Sequence, residues 1–287
     1  MNNVELSYVF HKENIISREA EIEQRLFAMK NNDCIEYRRN AKVLDILEPF
    51  WEDNKTWLTV GDNNGFEAYY LTKKNQSAVA SDISDGFLQY TAKEKLINEF
   101  RVINIEKNDL PDNSFDYVFC KEAFHHFPKA FWGLYEMIRI SKKAAIMIEP
   151  IDILSKMPLL LFLKNVLDRI NPLLINKIWK NRFSFEPVGN YVFKIAERDV
   201  EKIALGMGLS CIAFKKINIL LDLKLPKQIL LKTPTDMPNW RKLERKLSLK
   251  NFLSKLHLIP YNHLCCVIFK VSPDIEQKKM LKNNGYI

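Results

Sequence analysis

The chain has 287 residues, 47% hydrophobic and 27% charged, with 8 glycines and 12 prolines; this is the composition of an ordinary globular chain, not a disordered or fibrous one. That length suits one large α/β domain with insertions, and no basic segment followed by an apolar core opens the sequence, so a signal peptide is not expected. The most apolar run, Met157 to Leu163, is too short to span a bilayer, which points to a cytoplasmic protein.

Ser17 to Lys30 and Cys34 to Phe50 read as helices, with apolar residues at three- and four-residue steps. From Lys55 the period changes. Short apolar strands at Trp57–Val60, Ala78–Ala80, Arg101–Ile105, Tyr117–Cys120 and Ala144–Ile148 alternate with amphipathic segments at Gly65–Lys73, Asp85–Asn98 and Pro128–Ser141. Such alternation calls for βαβ units, a mostly parallel sheet with helices on both faces, and a ligand site at the carboxyl ends of the strands.

Past Glu149 the rhythm breaks. Asp152 to Lys180 is Leu- and Ile-rich and helical, interrupted by Pro158 and Pro172; the βα pattern returns with a helix at Glu197–Gly208 and a strand at Leu209–Phe214. A final strand, Tyr261–Val271, pairs with it as a hairpin across a long basic segment. The expected organisation is an N-terminal helical segment (1–54), a core (55–150), a helical cap insertion (151–193), and the remainder of the sheet (194–287) with a basic insertion at 227–257.

The charge is uneven. Basic and acidic residues number 31 each up to Pro226, whereas Lys227–Leu256 carries 8 basic and 2 acidic residues, most of the net charge of +8. The segment is either a solvated helix face or a surface for an anionic substrate or membrane. Five cysteines (Cys34, Cys120, Cys211, Cys265 and Cys266) show no CxxC spacing and no histidine at metal-ligand spacing, which favours buried free thiols over zinc or disulfides. No metal is expected.

"TWLTVGDNNGFEAYYL" has the parts of a nucleotide site. Gly61 can take positive φ and admit a ligand to the backbone, and Gly65 opens a helix whose free N–H groups face the site. The same turn can be purely structural. In "SAVASDIS", Asp82 follows the second strand, where a carboxylate accepts ribose hydroxyls, although Asp82 can equally cap a helix. The third piece, "NIEKNDLPDNSFDYVFCKEAFHHF", makes the pattern specific.

In this order the motifs resemble the class I S-adenosylmethionine-dependent methyltransferase family, its small-molecule branch, over about Trp57 to Pro150. The resemblance implies a doubly wound, seven-stranded, mostly parallel Rossmann-like sheet and S-adenosyl-L-methionine as cofactor. It implies cofactor contacts at Gly61, Asp62, Asn63 and Gly65, at Asp82 and Ile83 for the ribose, at Asn104, Ile105 and Glu106 for the adenine, and at Lys121. Two positions depart from the family pattern: Thr59 stands where an acid is usual, and Asn63 replaces the middle glycine. Asn63 tolerates positive φ, and loss of the acid leaves Asp62 or a backbone carbonyl to meet the cofactor's ammonium group.

His125 and His126 follow the fourth strand, and a neutral imidazole suits removal of a hydroxyl proton. Both can also serve as packing residues. His125 is favoured as base because Glu122, one turn earlier, can orient it; Glu149 is a further candidate, for binding or polarising a hydroxyl or for capping. The segment Ser184 to Phe214 resembles methyltransferases of surface polysaccharide and sugar modification. Trp179, Tyr191 and Phe193 can wall a pyranose ring, or merely pack the cap, and Arg182 or Lys194 can meet an anion.

The reading is O-methylation of a sugar or glycan-like small acceptor. Its alternatives are N- or C-methylation of a quinone, lipid or other small metabolite, or cofactor binding without catalysis. Nucleic acid is not favoured as acceptor because no base-flipping signature follows the fourth strand, and peripheral membrane contact through 227–257 stays open.

Overall fold

Neighbouring residues of the central strands are buried on opposite faces, as required of a sheet covered on both sides. Trp57, Tyr117, Phe119 and Ile146 belong to one core cluster; Leu58, Val118, Cys120 and Met147 belong to the other. The structure is a computed structural model and describes residues 3–16, 19–152, 158–171, 173–174, 185–186, 188–219 and 237–287.

Strands β1 (Thr56–Val60), β2 (Ser77–Asp82), β3 (Phe100–Val102), β4 (Phe115–Lys121), β5 (Ser141–Pro150), β6 (Cys211–Ile217) and β7 (His263–Phe269) form one sheet. Its order is β3-β2-β1-β4-β5-β7-β6. β1 to β5 pair in parallel, and β7 runs antiparallel to both neighbours. This is the doubly wound, seven-stranded, Rossmann-like arrangement that the resemblance implies, with the order reversing beside β1, where such sheets bind ligands.

The helices are α1 (Asn3–Ile16), α2 (Glu19–Lys30), α3 (Ile35–Leu44), α4 (Phe66–Lys73), α5 (Leu88–Lys93), α6 (Ala130–Ile140), α7 (Pro158–Ile170), α8 (Glu197–Gly206), α9 (Met237–Lys255) and α10 (Ile275–Asn283). The expected helix over Cys34–Phe50 begins where Cys34 Sγ accepts from the Tyr37 amide, and tightens after Leu44 into a 3-10 stretch, Asp45–Phe50, that contains Pro49. β3 stops two residues before Asn104, whose side chain accepts from the Glu106 amide and turns the chain. α10 lies outside the elements expected from sequence, and α1 falls within the expected helical segment 1–54 but ahead of its first expected helix at Ser17; Asp274 caps α10 by accepting from Gln277 N at 2.7 Å.

The basic segment is only partly a solvated face. On α9, Trp240, Leu247 and Ser254 recur every seven residues and are buried, so one stripe packs inward. The Asn218 amide fastens the helix by donating to Asn251 Oδ1 at 3.0 Å and Ser254 Oγ at 3.1 Å. Cys34, Cys120, Cys265 and Cys266 are buried free thiols, and Cys211 is partly exposed. No described helix is long and apolar enough to cross a membrane.

Candidate active site

β1 delivers the chain to Gly61 at φ +67°, where a Cβ would stand 2.3 Å from the Cβ of Ala123. Only glycine fits there. Beyond it a cavity of about 340 Å³ opens against the carboxyl ends of β1, β2 and β4. Gly61, Asn63, Asp82, Ile83, Asn104, Ile105 and Glu106 all line it, so most of the expected cofactor residues come together. Asn63 Oδ1 is buried there without a hydrogen-bond partner among the described residues, an acceptor that calls for a donor from a ligand.

Asp62, Gly65 and Lys121 do not line this cavity. Asp62 points into the protein, where its carboxylate accepts from Glu67 N at 3.2 Å, Ala68 N at 2.9 Å and the Thr59 hydroxyl at 2.8 Å. It caps α4 instead of offering itself to a cofactor ammonium, and Thr59 is its partner. Burial and the adjacent Glu67 push the Asp62 carboxyl well up. Lys121 lies 2.9 Å from Glu67 and, against the effect of burial, holds it down. Gly65, at φ +74°, starts α4, and a Cβ there would meet Ile97 and Leu88. These three residues build the wall behind the glycine turn.

Asp82 is buried, accepts from Ser84 N at 3.1 Å, and is pushed up to about 6 by burial. Glu106 accepts from Lys129 N, and burial pushes it up as well. The Tyr8 phenol of α1 is driven up to about 12 by burial and by Glu106. Tyr8, Phe10 and His11 place α1 along the cavity, a contribution that sequence reasoning missed. Their spacing is not an apolar stripe, and the ligand-facing side of a helix carries no hydrophobic signal.

The turn after β4 carries both histidines in a short 3-10 segment, Phe124–His126. His125 Nδ1 lies 2.6 Å from Oε2 of Glu149, at the end of β5. Glu149 is fully buried, and its Oε1 accepts from Ala123 N and Phe124 N, each at 2.9 Å. Burial works against the imidazolium, but the Glu149 hydrogen bond and charge outweigh it and raise His125 above the ordinary histidine value. Glu122 is not the partner of His125: it takes a left-handed φ of +51° and turns to His263 Nε2 at 3.2 Å. That contact, with Lys121, holds Glu122 down at about 2 in spite of burial.

His126 lines the cavity, and its Nδ1 lies 2.6 Å from Glu186 Oε1. The other oxygen of Glu186 lies 3.1 Å from His11 Nε2 and accepts from the Asn190 amide at 3.1 Å. One carboxylate thus clasps α1 to the mouth of the site. The two rings and Glu186 bring ligand atoms within 4.8 Å of one another, a set with the residue types and spacing to hold a metal ion, and the hydrogen bonds to Glu186 hold it together. Positions 11, 126 and 186 share no local spacing that a sequence could reveal.

Phe193 N donates to His125 O at 3.1 Å, which sets Phe193 beside the histidine turn. Phe193 meets Phe131 and Tyr191 edge to face, at centroid distances of 6.0 and 5.1 Å. Lys194 is lowered by burial. Trp179 and Arg182, with much of the segment expected as a cap (151–193) and the first part of that expected as a basic insertion (227–257), lie outside the described residues.

Residues 58–148 match the methyltransferase-domain family. No curated protein gives a significant match. Among solved structures, a chain of the complex between the Haloferax volcanii Trm112 methyltransferase activator and a methyltransferase is 16% identical, with a TM-score of 0.52, over 83% of this chain and 92% of that one. Magnesium protoporphyrin IX methyltransferase from Synechocystis, solved with S-adenosylhomocysteine, is 13% identical, with a TM-score of 0.51, over 91% and 99%. An S-adenosylmethionine-dependent methyltransferase from Thermotoga maritima is 12% identical, with a TM-score of 0.50, over 90% and 99%. At these identities the structures show a shared fold, and the matched family supplies the chemistry. Residues 58–148 are therefore a class I methyltransferase domain whose cofactor is S-adenosylmethionine.

Proposed function

We propose that the domain transfers the methyl group of S-adenosylmethionine to a hydroxyl of a small, glycan-like acceptor, with His125 as general base. The observation that carries this reading is the His125–Glu149 pair at 2.6 Å. With Nδ1–H donating to Glu149, the neutral ring keeps Nε2 as the lone pair that takes a proton. Glu149 has both oxygens committed, so it positions the base instead of touching the acceptor.

The cavity residues fit the cofactor. Asn63 Oδ1 lacks a donor among the described residues and Asp82 is a buried carboxylate bonded to the backbone at Ile83 and Ser84; ribose hydroxyls and an ammonium group supply further donors. In this reading the Gly61–Asn63 turn holds the methionine part, Asp82 and Ile83 the ribose, and Asn104 to Glu106 the adenine. The cofactor, when bound, supplies a methyl carbon made electrophilic by its sulfonium. The protein's task is to hold the acceptor oxygen in line and remove its proton. Phe193, set beside His125, and Tyr191, edge to face with Phe193, offer apolar ring surfaces of the kind sugar rings favour.

Labelled S-adenosylmethionine offered with a panel of glycosides, each paired with its O-blocked counterpart, tests the proposal. Label is expected in free glycosides and absent when the reacting hydroxyl is blocked, with Asp82→Ala and His125→Ala both inactive. Transfer only to amines, or full activity in His125→Ala, would overturn it.

A further inference from the structure

A second cavity, of about 410 Å³, lies between α3, the carboxyl end of β6 and α9. Its walls divide by chemistry. Val43, Ile46, Ile217, Ile219, Trp240 and Leu247 make an apolar floor, and Arg39, Lys42, Lys215, Lys216 and Lys255 make a cationic rim in which Glu244 is the one acid. Lys42 pairs with Glu244 at 3.4 Å and Lys216 with Glu197 at 3.0 Å. Among the described residues no salt bridge serves Arg39, Lys215 or Lys255, and Arg39 Nε is buried without a hydrogen-bond partner. Burial lowers Lys215, with Glu48 opposing the shift, and its ammonium lies 5.4 Å from the centre of the Tyr286 ring.

Each simple ligand satisfies only half of this cavity. A wholly apolar molecule would leave the buried Arg39 Nε without a partner, which is costly. A bare anion would leave the floor against Trp240 wet. Three cations without a salt bridge among the described residues, one of them a guanidinium whose buried Nε has no hydrogen-bond partner, match the charge and oxygens of a phosphate, and the apolar residues beside them match an alkyl chain. We propose that the second cavity binds a phosphate-bearing amphiphile, with its head on Arg39, Lys215 and Lys255 and its chain on the apolar floor. The site stands independently of the methyl-transfer reading. It also gives a use for the basic segment, whose α9 is fastened beside it through Asn218.

Calorimetry with monomeric dodecyl phosphate, below its micelle concentration, tests the site, with inorganic phosphate, dodecyl maltoside and phosphatidylglycerol vesicles as separate arms. The expected result is saturable binding of one dodecyl phosphate per chain, at least about tenfold tighter than inorganic phosphate or dodecyl maltoside. Arg39→Gln and the exposed Lys255→Glu should each weaken it at least about fivefold. Affinity equal to that for inorganic phosphate, insensitivity to both variants, or binding to vesicles alone would overturn the proposal. S-adenosylhomocysteine titrated into the same preparations reads the cofactor cavity separately. Its binding without dodecyl phosphate binding defeats only this site, and the reverse result defeats only the methyltransferase mechanism.

Discussion

His125 and Glu149 meet at 2.6 Å across the gap between the turn after β4 and the end of β5, and the carboxylate is held by two backbone amides of that same turn. The strand spacing of a parallel sheet thereby fixes the His125 imidazole between Ala123 and His126 of the turn, which line the cavity at the ends of β1, β2 and β4, although His125 and Glu149 themselves do not line it. Replacing His125 with Ala should lower kcat by about 100-fold or more while S-adenosylhomocysteine affinity changes little. Steady-state kinetics alongside calorimetry checks both halves.

Because the Glu149 contact raises His125, the ring becomes neutral only as pH climbs past the ordinary histidine value of about 6.5. The rate should therefore rise with pH through that raised pKa. Glu149→Gln removes the charge that favours the imidazolium, so the acidic limb of its pH–rate profile should move to lower pH while the maximum rate falls. A limb that stays in place would show that another group titrates.

Asp82 sits at about 6 because burial disfavours its charge. Its folded pKa lies above the unfolded one, so it costs the unliganded fold nothing below about pH 4, and the full penalty, on the order of 2–3 kcal/mol, applies above about pH 6. Asp82→Asn should melt higher than the parent at pH 7.5 and bind S-adenosylhomocysteine at least about tenfold more weakly. Thermal melts at pH 4.5 and 7.5 should show the gain shrinking in acid.

Gly61 combines φ +67° with a Cβ position 2.3 Å from Ala123. Gly61→Ala should destabilise the protein by about 1–3 kcal/mol and weaken cofactor binding. Gly208, also at positive φ but with open space around it, provides a control: its alanine variant should lose stability and keep cofactor affinity.

Glu186 ties His11 to His126. Glu186→Ala should loosen α1 from the mouth, speed release of S-adenosylhomocysteine by roughly fivefold and increase proteolytic cleavage within residues 3–16. Stopped-flow release and limited proteolysis measure the two effects.

The sheet was legible because buried strands announce themselves as apolar runs; Trp57–Val60, Tyr117–Cys120 and Ala144–Ile148 all fall inside observed strands. The gathering of Gly61, Asn63, Asp82 and Asn104 to Glu106 around one cavity was legible because each lies in a loop at the carboxyl end of its strand. The site was not legible where the contact depends on register between distant segments. Glu149 faces His125 because β5 lies beside β4, while Glu122, the sequence neighbour expected to fill that role, is drawn to His263 at the start of the antiparallel β7. Asp62 was misread for a different reason: a carboxylate next to a glycine turn suits a ligand or a helix N-terminus equally, and here α4 takes it. The clasp of His11, His126 and Glu186 joins parts of the chain up to 175 positions apart, beyond any local pattern.

Isothermal titration of S-adenosylhomocysteine into the purified protein and into Asp82→Ala tests the central claim most directly, that the cavity at the ends of β1, β2 and β4 is the cofactor site. One molecule should bind per chain with a Kd of about 1–100 μM, weakened at least about tenfold by Asp82→Ala. Absence of binding at millimolar ligand, or equal affinity in the variant, would contradict it.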